Sequence, residues 1–305
     1  MKFEHLFSPM QVGKVTYRNR IVSAPMAFGL IVQNPDARDF TYRKLEASAK
    51  GGNGCVIVGE TDVNFVDAVR IPGFRPFDFA KPEEDPETFD AVGEYARRIK
   101  RHGAVALAEL VHCGKEKVPF GPGQEAIGPI ETTNLAGVKV RPMNEDDMAR
   151  IARDFAVSAT YMQKAGFDGV LIHGGHGFLF TQFLSPLMNT RTDSYGGSLE
   201  NRLRFAREVV EEIKARCGQD FPVILRFSVK SMIKDWREGA LPGEEFEEKG
   251  RDVEEGLEAA KLLVAYGYDA LDTDVGTYDA WWWNHPPMYQ EKGLYRPYCK
   301  LVKEA

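Results

Sequence analysis

Residues 165–175, AGFDGVLIHGG, carry the pattern that decides the fold. A helical stretch ends at glycine, two residues pass, and a short apolar run follows. The same layout recurs as GGNGCVIV at 51–58, HGAVALAEL at 102–110 and YGYDALDT at 266–273. Glycine just past a helix supplies a left-handed C-cap, and a strand buried on both faces reads as a continuous apolar run. An early run around 21–24 and a run at 223–227 after Pro222 bring the strand candidates to six. The intervening helices are amphipathic. In 145–164, Met148, Ile151, Phe155, Ala159 and Met162 share one face behind a cap at Asn144; in the next, Leu199, Leu203, Ala206, Val210 and Ile213 do so behind Ser198. Alternating strands and helices predict α/β architecture, a TIM (β/α)8-type barrel that is incomplete, with about six of its eight strands present.

Composition agrees with a single domain spanning 1–305. The chain is 43% hydrophobic and 28% charged, enough for one large core. A net charge of −6 with no basic run argues against a nucleic-acid partner. No stretch is long and apolar enough to span a bilayer, and the N-terminus lacks the apolar core of a signal peptide, so a cytoplasmic protein with no membrane partner is expected. Cys55, Cys113, Cys217 and Cys299 are far apart and form no CxxC pair. That argues against zinc, iron–sulfur ligands or a disulfide framework, and for reduced, mostly buried thiols. Residues 119–141 and 230–250 read as long irregular loops, which on a barrel are usually functional.

Residues at the C-terminal ends of barrel strands face the active site. Here these are Pro25, Met26 and Ala27 after the first strand, Glu109 to His112 on the third, His173 and His176 after the fourth, and Arg226 within the fifth. Two imidazoles three residues apart among glycines offer paired N–H donors for a carboxylate oxygen or a developing enolate. Zinc would need a third ligand that no neighbouring motif supplies. Arg226 in an apolar strand requires an anionic partner, either a structural ion pair or a bound anion.

Taken together, LFSPMQVGKVTYRNRIVSAPM (6–26), ELVHCGK (109–115) and above all AGFDGVLIHGGHGFLFTQFLSPLMNTRTDSYGGSLENRLRF (165–205) resemble the Old Yellow Enzyme family of FMN-dependent ene-reductases. WWWNHPPMY (281–289) resembles its 2-enoate, 2,4-dienoyl-CoA and bile-acid-type reductase branch, read alternatively as a packed aromatic loop. The resemblance implies an FMN across the barrel top, reduced by NADH or NADPH, that passes hydride to an activated alkene. The substrate would be a small unsaturated acid, thioester or enone. It further implies that the backbone at Pro25, Met26 and Gly59 borders the isoalloxazine, that Arg226 faces its N1 and C2 carbonyl, and that His173 and His176 hold the substrate oxygen.

Departures from the family pattern are also visible. Glu109 stands where a flavin-contacting glutamine is usual, and Ala27 where a threonine or cysteine is. Phe178 stands where many relatives carry a proton-donating tyrosine, so no proton donor is assigned. Relatives continue past the helix at 295–303 with two more strands that hold the FMN phosphate, and larger ones append a cysteine cluster. The expectation is therefore a truncated chain with two unpaired sheet edges, which leaves a homo-oligomer open as a way of covering them. Alternatives are an amine dehydrogenase-like flavoenzyme or a catalytically inert fragment. The 191–202 segment, RTDSYGGSLENR, reads as a turn into a capped helix with structural ion pairs.

Overall fold

The computed structural model describes residues 3–26, 33–69 and 78–305. Ala27 lies outside the described residues. Six parallel strands form one curled half-barrel sheet: β1 (Val22–Ser23), β2 (Cys55–Asp62), β3 (Val105–Val111), β4 (Gly169–Gly174), β5 (Val223–Ser228) and β6 (Ala270–Asp274). Each pairs with its neighbour in sequence, the order in which a β/α barrel winds. β1 and β6 form the two edges, and neither has a second partner strand among the described residues.

A helix follows every strand: α1 (Pro35–Lys50), α2 (Pro86–Lys100), α3 (Glu145–Lys164), α4 (Leu199–Cys217), α5 (Val253–Tyr266) and α6 (Arg296–Glu304). Asn144 and Asp147 form a reciprocal capping box at the start of α3: the Asn144 side chain accepts from the Asp147 N–H at 2.8 Å, and the Asp147 side chain accepts from the Asn144 N–H at 2.9 Å. Ser198 caps α4, and each such cap is worth about 1 kcal/mol. Gly267 ends α5 in the left-handed region at φ 115, where a side chain would be strained.

Alternation along the strands divides the apolar material into two layers. Val56, Val58, Ala106, Ala108, Val170, Ile172, Val223, Leu225 and Phe227 face the helices and join the main core, with Met148, Ile151, Phe155, Ala159 and Met162 of α3. The opposite residues, Cys55, Ile57, Val105, Leu107, Leu171 and Ile224, fill the interior of the curled sheet. There they meet Val12 and Tyr17 from an N-terminal hairpin, Met10–Val12 against Val15–Tyr17. The hairpin thus covers apolar surface at one end of the interior.

The two long connections contain more structure than expected. Ala126–Gly128, Thr132–Thr133 and Lys139–Pro142 make a small three-stranded sheet, and Ile233–Asp235 pairs with Glu238–Gly239. The 191–202 segment matches its structural reading. Arg191 donates to the carbonyls of Pro129 and Met143 and pairs with Asp193, while buried Arg202 pairs with Glu255 and donates to the Leu184 carbonyl. Cys55, Cys113 and Cys217 are buried, Cys299 is exposed, and all four are free thiols. Among the described residues no cluster of His, Cys, Asp and Glu could hold a metal ion, and no helix is long and apolar enough to cross a membrane.

Candidate active site

Toward the C-terminal ends of the strands the inward face changes character. Side chains two apart on a strand share a face, so above Ile57, Leu107, Leu171 and Ile224 come Gly59, Glu109, His173 and Arg226. Register aligns them: Arg226 lies opposite His173 on one side and Asp272 on the other, and Glu109 lies opposite Leu171, one inward step below His173. A dry interior therefore ends in a layer of ionisable groups, which must satisfy one another or a ligand.

Two pairs organise that layer. Glu109 Oε1 lies 2.7 Å from His173 Nδ1, with both side chains buried. An ionised carboxylate only accepts, so Nδ1 carries the proton. The second pair centres on Asp274, at the end of β6. Its Oδ2 accepts from Arg226 Nε at 2.8 Å and lies 3.3 Å from His176 Nε2, while its Oδ1 accepts from Ser228 Oγ. That approach completes no hydrogen bond, but a lone pair beside the carboxylate would be repelled, which favours the His176 proton on Nε2.

The electrostatics follow from these contacts. Burial would raise the Asp274 pKa, but His176, Arg226 and Ser228 override it and hold the carboxyl well below the usual range. Burial works against the Arg226 charge, yet Asp274 and then Asp272 push its pKa up. Burial lowers the His176 pKa, aided by the neighbouring His173 and opposed by Asp274, so its neutral form is favoured. Asp272, buried beside Asp274 and Glu109, has its pKa raised, chiefly by burial. Taking two charges out of water costs several kcal/mol per ion, so the Arg226–Asp274 pair adds little net stability; removing one partner, by contrast, costs about 3–5 kcal/mol.

His176 occupies the left-handed region at φ 62, a conformation costing a residue with a side chain about 1 kcal/mol or more. The turn brings its ring to 4.7 Å from that of His173. Glycines make the close packing feasible. A Cβ on Gly59 would overlap Glu109 Oε2 and fall 2.5 Å from Pro25 Cβ, and one on Gly174 would fall 2.5 Å from the Arg226 carbonyl oxygen. Pro25 is thereby placed against the top of β2, while Met26 is 54% exposed, its Sδ 3.5 Å from Lys44 Nζ.

Past Asp274 the chain crosses back over the histidines. The Tyr278 N–H donates to the His176 carbonyl at 3.0 Å, and the Tyr278 ring lies against Phe178, His176, His285 and Trp281. His285 and Trp281 stack at 4.1 Å. The structure thus joins His173, His176, Glu109, Arg226, Gly59 and Pro25 at one end of the sheet. It adds Asp274, Tyr278 and His285, which the sequence reading did not single out. A strand-end rule applied to ALDTD would have found Asp274. His112, also at a strand end, belongs elsewhere: it is fully buried, with Nε2 3.1 Å from Asp67 Oδ1, and Asp67 in turn pairs with Arg150.

A cavity of about 680 Å³ lies on the outer flank of β6, lined by Leu271, Thr273, Val264, Cys299 and Val302. It touches neither histidine, so chemistry rather than volume locates the site.

A cinnamate reductase of Clostridium sporogenes is 47% identical over 100% of this chain and 46% of its own length. An NADPH dehydrogenase of Halalkalibacterium halodurans is 33% identical over 90% of this chain and 74% of its own length. Among solved structures, histamine dehydrogenase from a Rhizobium species superposes with a TM-score of 0.81 at 27% identity, covering 100% of this chain and 41% of that one. The chain therefore spans less than half the length of two of these three. The model of the NADH:flavin oxidoreductase / NADH oxidase family matches residues 5–262. Matched over most of its length by that model, and folded as the half-barrel it implies, the chain belongs to the NADH:flavin oxidoreductase / NADH oxidase family.

Proposed function

We propose that the chain is one FMN-binding barrel unit whose strand ends reduce the activated C=C bond of an α,β-unsaturated acid, thioester or enone, using NADH or NADPH as the hydride source. The observation that carries this reading is the pair of imidazoles 4.7 Å apart at the polar end of the sheet interior, each backed by its own carboxylate. Similarity to a cinnamate reductase along the whole chain supports an aryl-substituted acid as the first substrate to try.

The residues present fit a flavin. Gly59 offers bare backbone where a side chain would collide, as close approach of a flat ring requires. The Arg226 Nε is committed to Asp274, while its two terminal nitrogens make no hydrogen bond among the described residues and suit an electron-rich ring edge. Arg226, Gly59, Pro25, Met26 and Glu109 would hold the ring. When bound, the flavin would supply the hydride. The protein's own contribution would be positional and electrostatic. With Nδ1 committed to Glu109, His173 would meet the substrate oxygen through Nε2. With its Nε2 proton beside Asp274, neutral His176 presents a lone pair at Nδ1 and donates there only when protonated. His173 would thus orient the substrate carboxylate and polarise its double bond, joined by His176 when that ring is protonated.

Amine oxidation is the second reading, favoured by the histamine dehydrogenase superposition. A cationic amine needs an available carboxylate, but Glu109 and Asp274 are already committed and Asp272 faces Arg226. The test is anaerobic: load the full chain with FMN, reduce it, and offer cinnamate or crotonate. Reoxidation with release of the saturated acid supports the reading, and reduction of the oxidised flavin by histamine would replace it with the amine reading.

A further inference from the structure

Reducing a conjugated double bond requires one hydride and one proton. The hydride forms the new bond at the β-carbon, the π pair moves onto the α-carbon and its carbonyl, and an acid must then supply a proton at the α-carbon. Phe178, whose ring sits 4.9 Å from His173, is 1% exposed and has no proton to give. Directly against it lies a phenol. The Tyr278 ring is 5.3 Å from Phe178 in an edge arrangement and 6.1 Å from His176.

We propose that Tyr278 is the acid that protonates the α-carbon, a role carried by the loop after β6 instead of the loop after β4. The assignment rests on the ene-reductase reading above. Three observations support it. The phenol is held in place by backbone, because the Tyr278 N–H donates to the His176 carbonyl at 3.0 Å and Thr277 bridges His176 in parallel register. One residue earlier, the Gly276 N–H donates to the Lys230 carbonyl at 2.9 Å. The ring is also wedged between the buried Phe178 and the exposed His285, which stacks on it at 5.8 Å and 10°. Finally, Tyr278 is half-buried, so one part of it faces Phe178 while another is open to solvent for resupply of the proton. In the step itself the Oη–H bond breaks, a C–H bond forms at the α-carbon, and the phenolate regains a proton from water. An α C–H is a far weaker acid than a phenol, so the transfer runs downhill, and a positioned acid contributes about 10²–10⁴-fold.

The test compares wild type, Tyr278→Phe and the double variant Tyr278→Phe/Phe178→Tyr, each as the full chain with FMN, reduced and mixed with cinnamate in D2O. Tyr278→Phe keeps the ring and its stacking and removes one oxygen. It is expected to lower turnover about 10²-fold or more and to scramble the configuration of deuterium at the α-carbon. The double variant should recover at least about tenfold of that loss. Cinnamate affinity, read by quenching of tryptophan fluorescence in the cofactor-free chain, should be unchanged by Tyr278→Phe. A Tyr278→Phe variant that turns over like wild type and sets a single α configuration overturns the assignment alone. Wild type that leaves the flavin reduced in the presence of cinnamate overturns the functional reading and this assignment with it.

Discussion

Asp274 holds together one half of the site, and Asp274→Asn tests whether it does so as a charge. The substitution keeps the shape and one acceptor oxygen, but leaves Arg226 buried without its anion and removes the negative charge beside His176. Removing one partner of a buried pair costs about 3–5 kcal/mol, and the retained oxygen places the expectation near the lower end, about 3 kcal/mol. At about 2.1 cal/mol/K per residue, a chain of 305 residues loses about 5 °C in Tm for that penalty. The pH dependence has a definite sign. The folded-state pKa of Asp274 is depressed, so its contribution is fully present above the unfolded carboxylate value of about 3.9 and is lost as pH falls from there toward the folded value. Thermal unfolding followed by circular dichroism should therefore show the full gap between wild type and variant at pH 7, narrowing below about pH 4. Equal Tm values at pH 7, or a gap that persists undiminished in acid, would show that Asp274 does not act through its charge.

Three further outcomes are expected. Gly59→Ala should destabilise by about 1–3 kcal/mol and weaken FMN binding, because its Cβ collides with Glu109 and Pro25; unchanged affinity in an equilibrium titration would show that the flavin does not rest there. Glu109→Gln should raise the reduction potential of bound FMN by about 30 mV or more, since about 1.4 kcal/mol is relieved for a two-electron couple when a carboxylate no longer opposes the reduced ring. A spectroelectrochemical titration showing no rise, or a fall, would contradict that placement. Because burial lowers the His176 pKa from its ordinary value of about 6.5, the imidazolium that donates through Nδ1 forms only below that pH. The KM for an enoate should accordingly fall as pH drops below about 6.5, and a flat KM profile identical to that of His176→Gln would exclude the residue from substrate binding.

Much of this was legible in the sequence because it is written in local patterns. Glycine followed by an apolar run marked β2, β3, β4 and β6, and the spacing of Met148, Ile151 and Phe155 marked the buried face of α3. His173 and His176 stood out because two histidines among glycines at a strand end have no packing explanation. Arg226 stood out because a cation interrupts an apolar strand. Its partner did not, since Asp274 is 48 residues further on and a carboxylate closing a strand looks like any strand-to-loop junction. Tyr278 and His285 were hidden for a different reason: ring stacking across a loop leaves no periodic trace. Val22–Ser23 and the strands in 126–142 are two to four residues long, too short for alternation to register.

On the proposal above, these strand ends hold a flavin and transfer its reducing equivalents to a conjugated alkene. The most direct measurement is the visible spectrum of the full chain after FMN loading and removal of excess, followed by anaerobic reduction and a single addition of cinnamate. Retained flavin bands are expected, bleached on reduction and restored by cinnamate, with 3-phenylpropanoate formed in equal amount. A chain that keeps no flavin, or one whose reduced flavin stays bleached beside cinnamate and every other enoate offered, would contradict it.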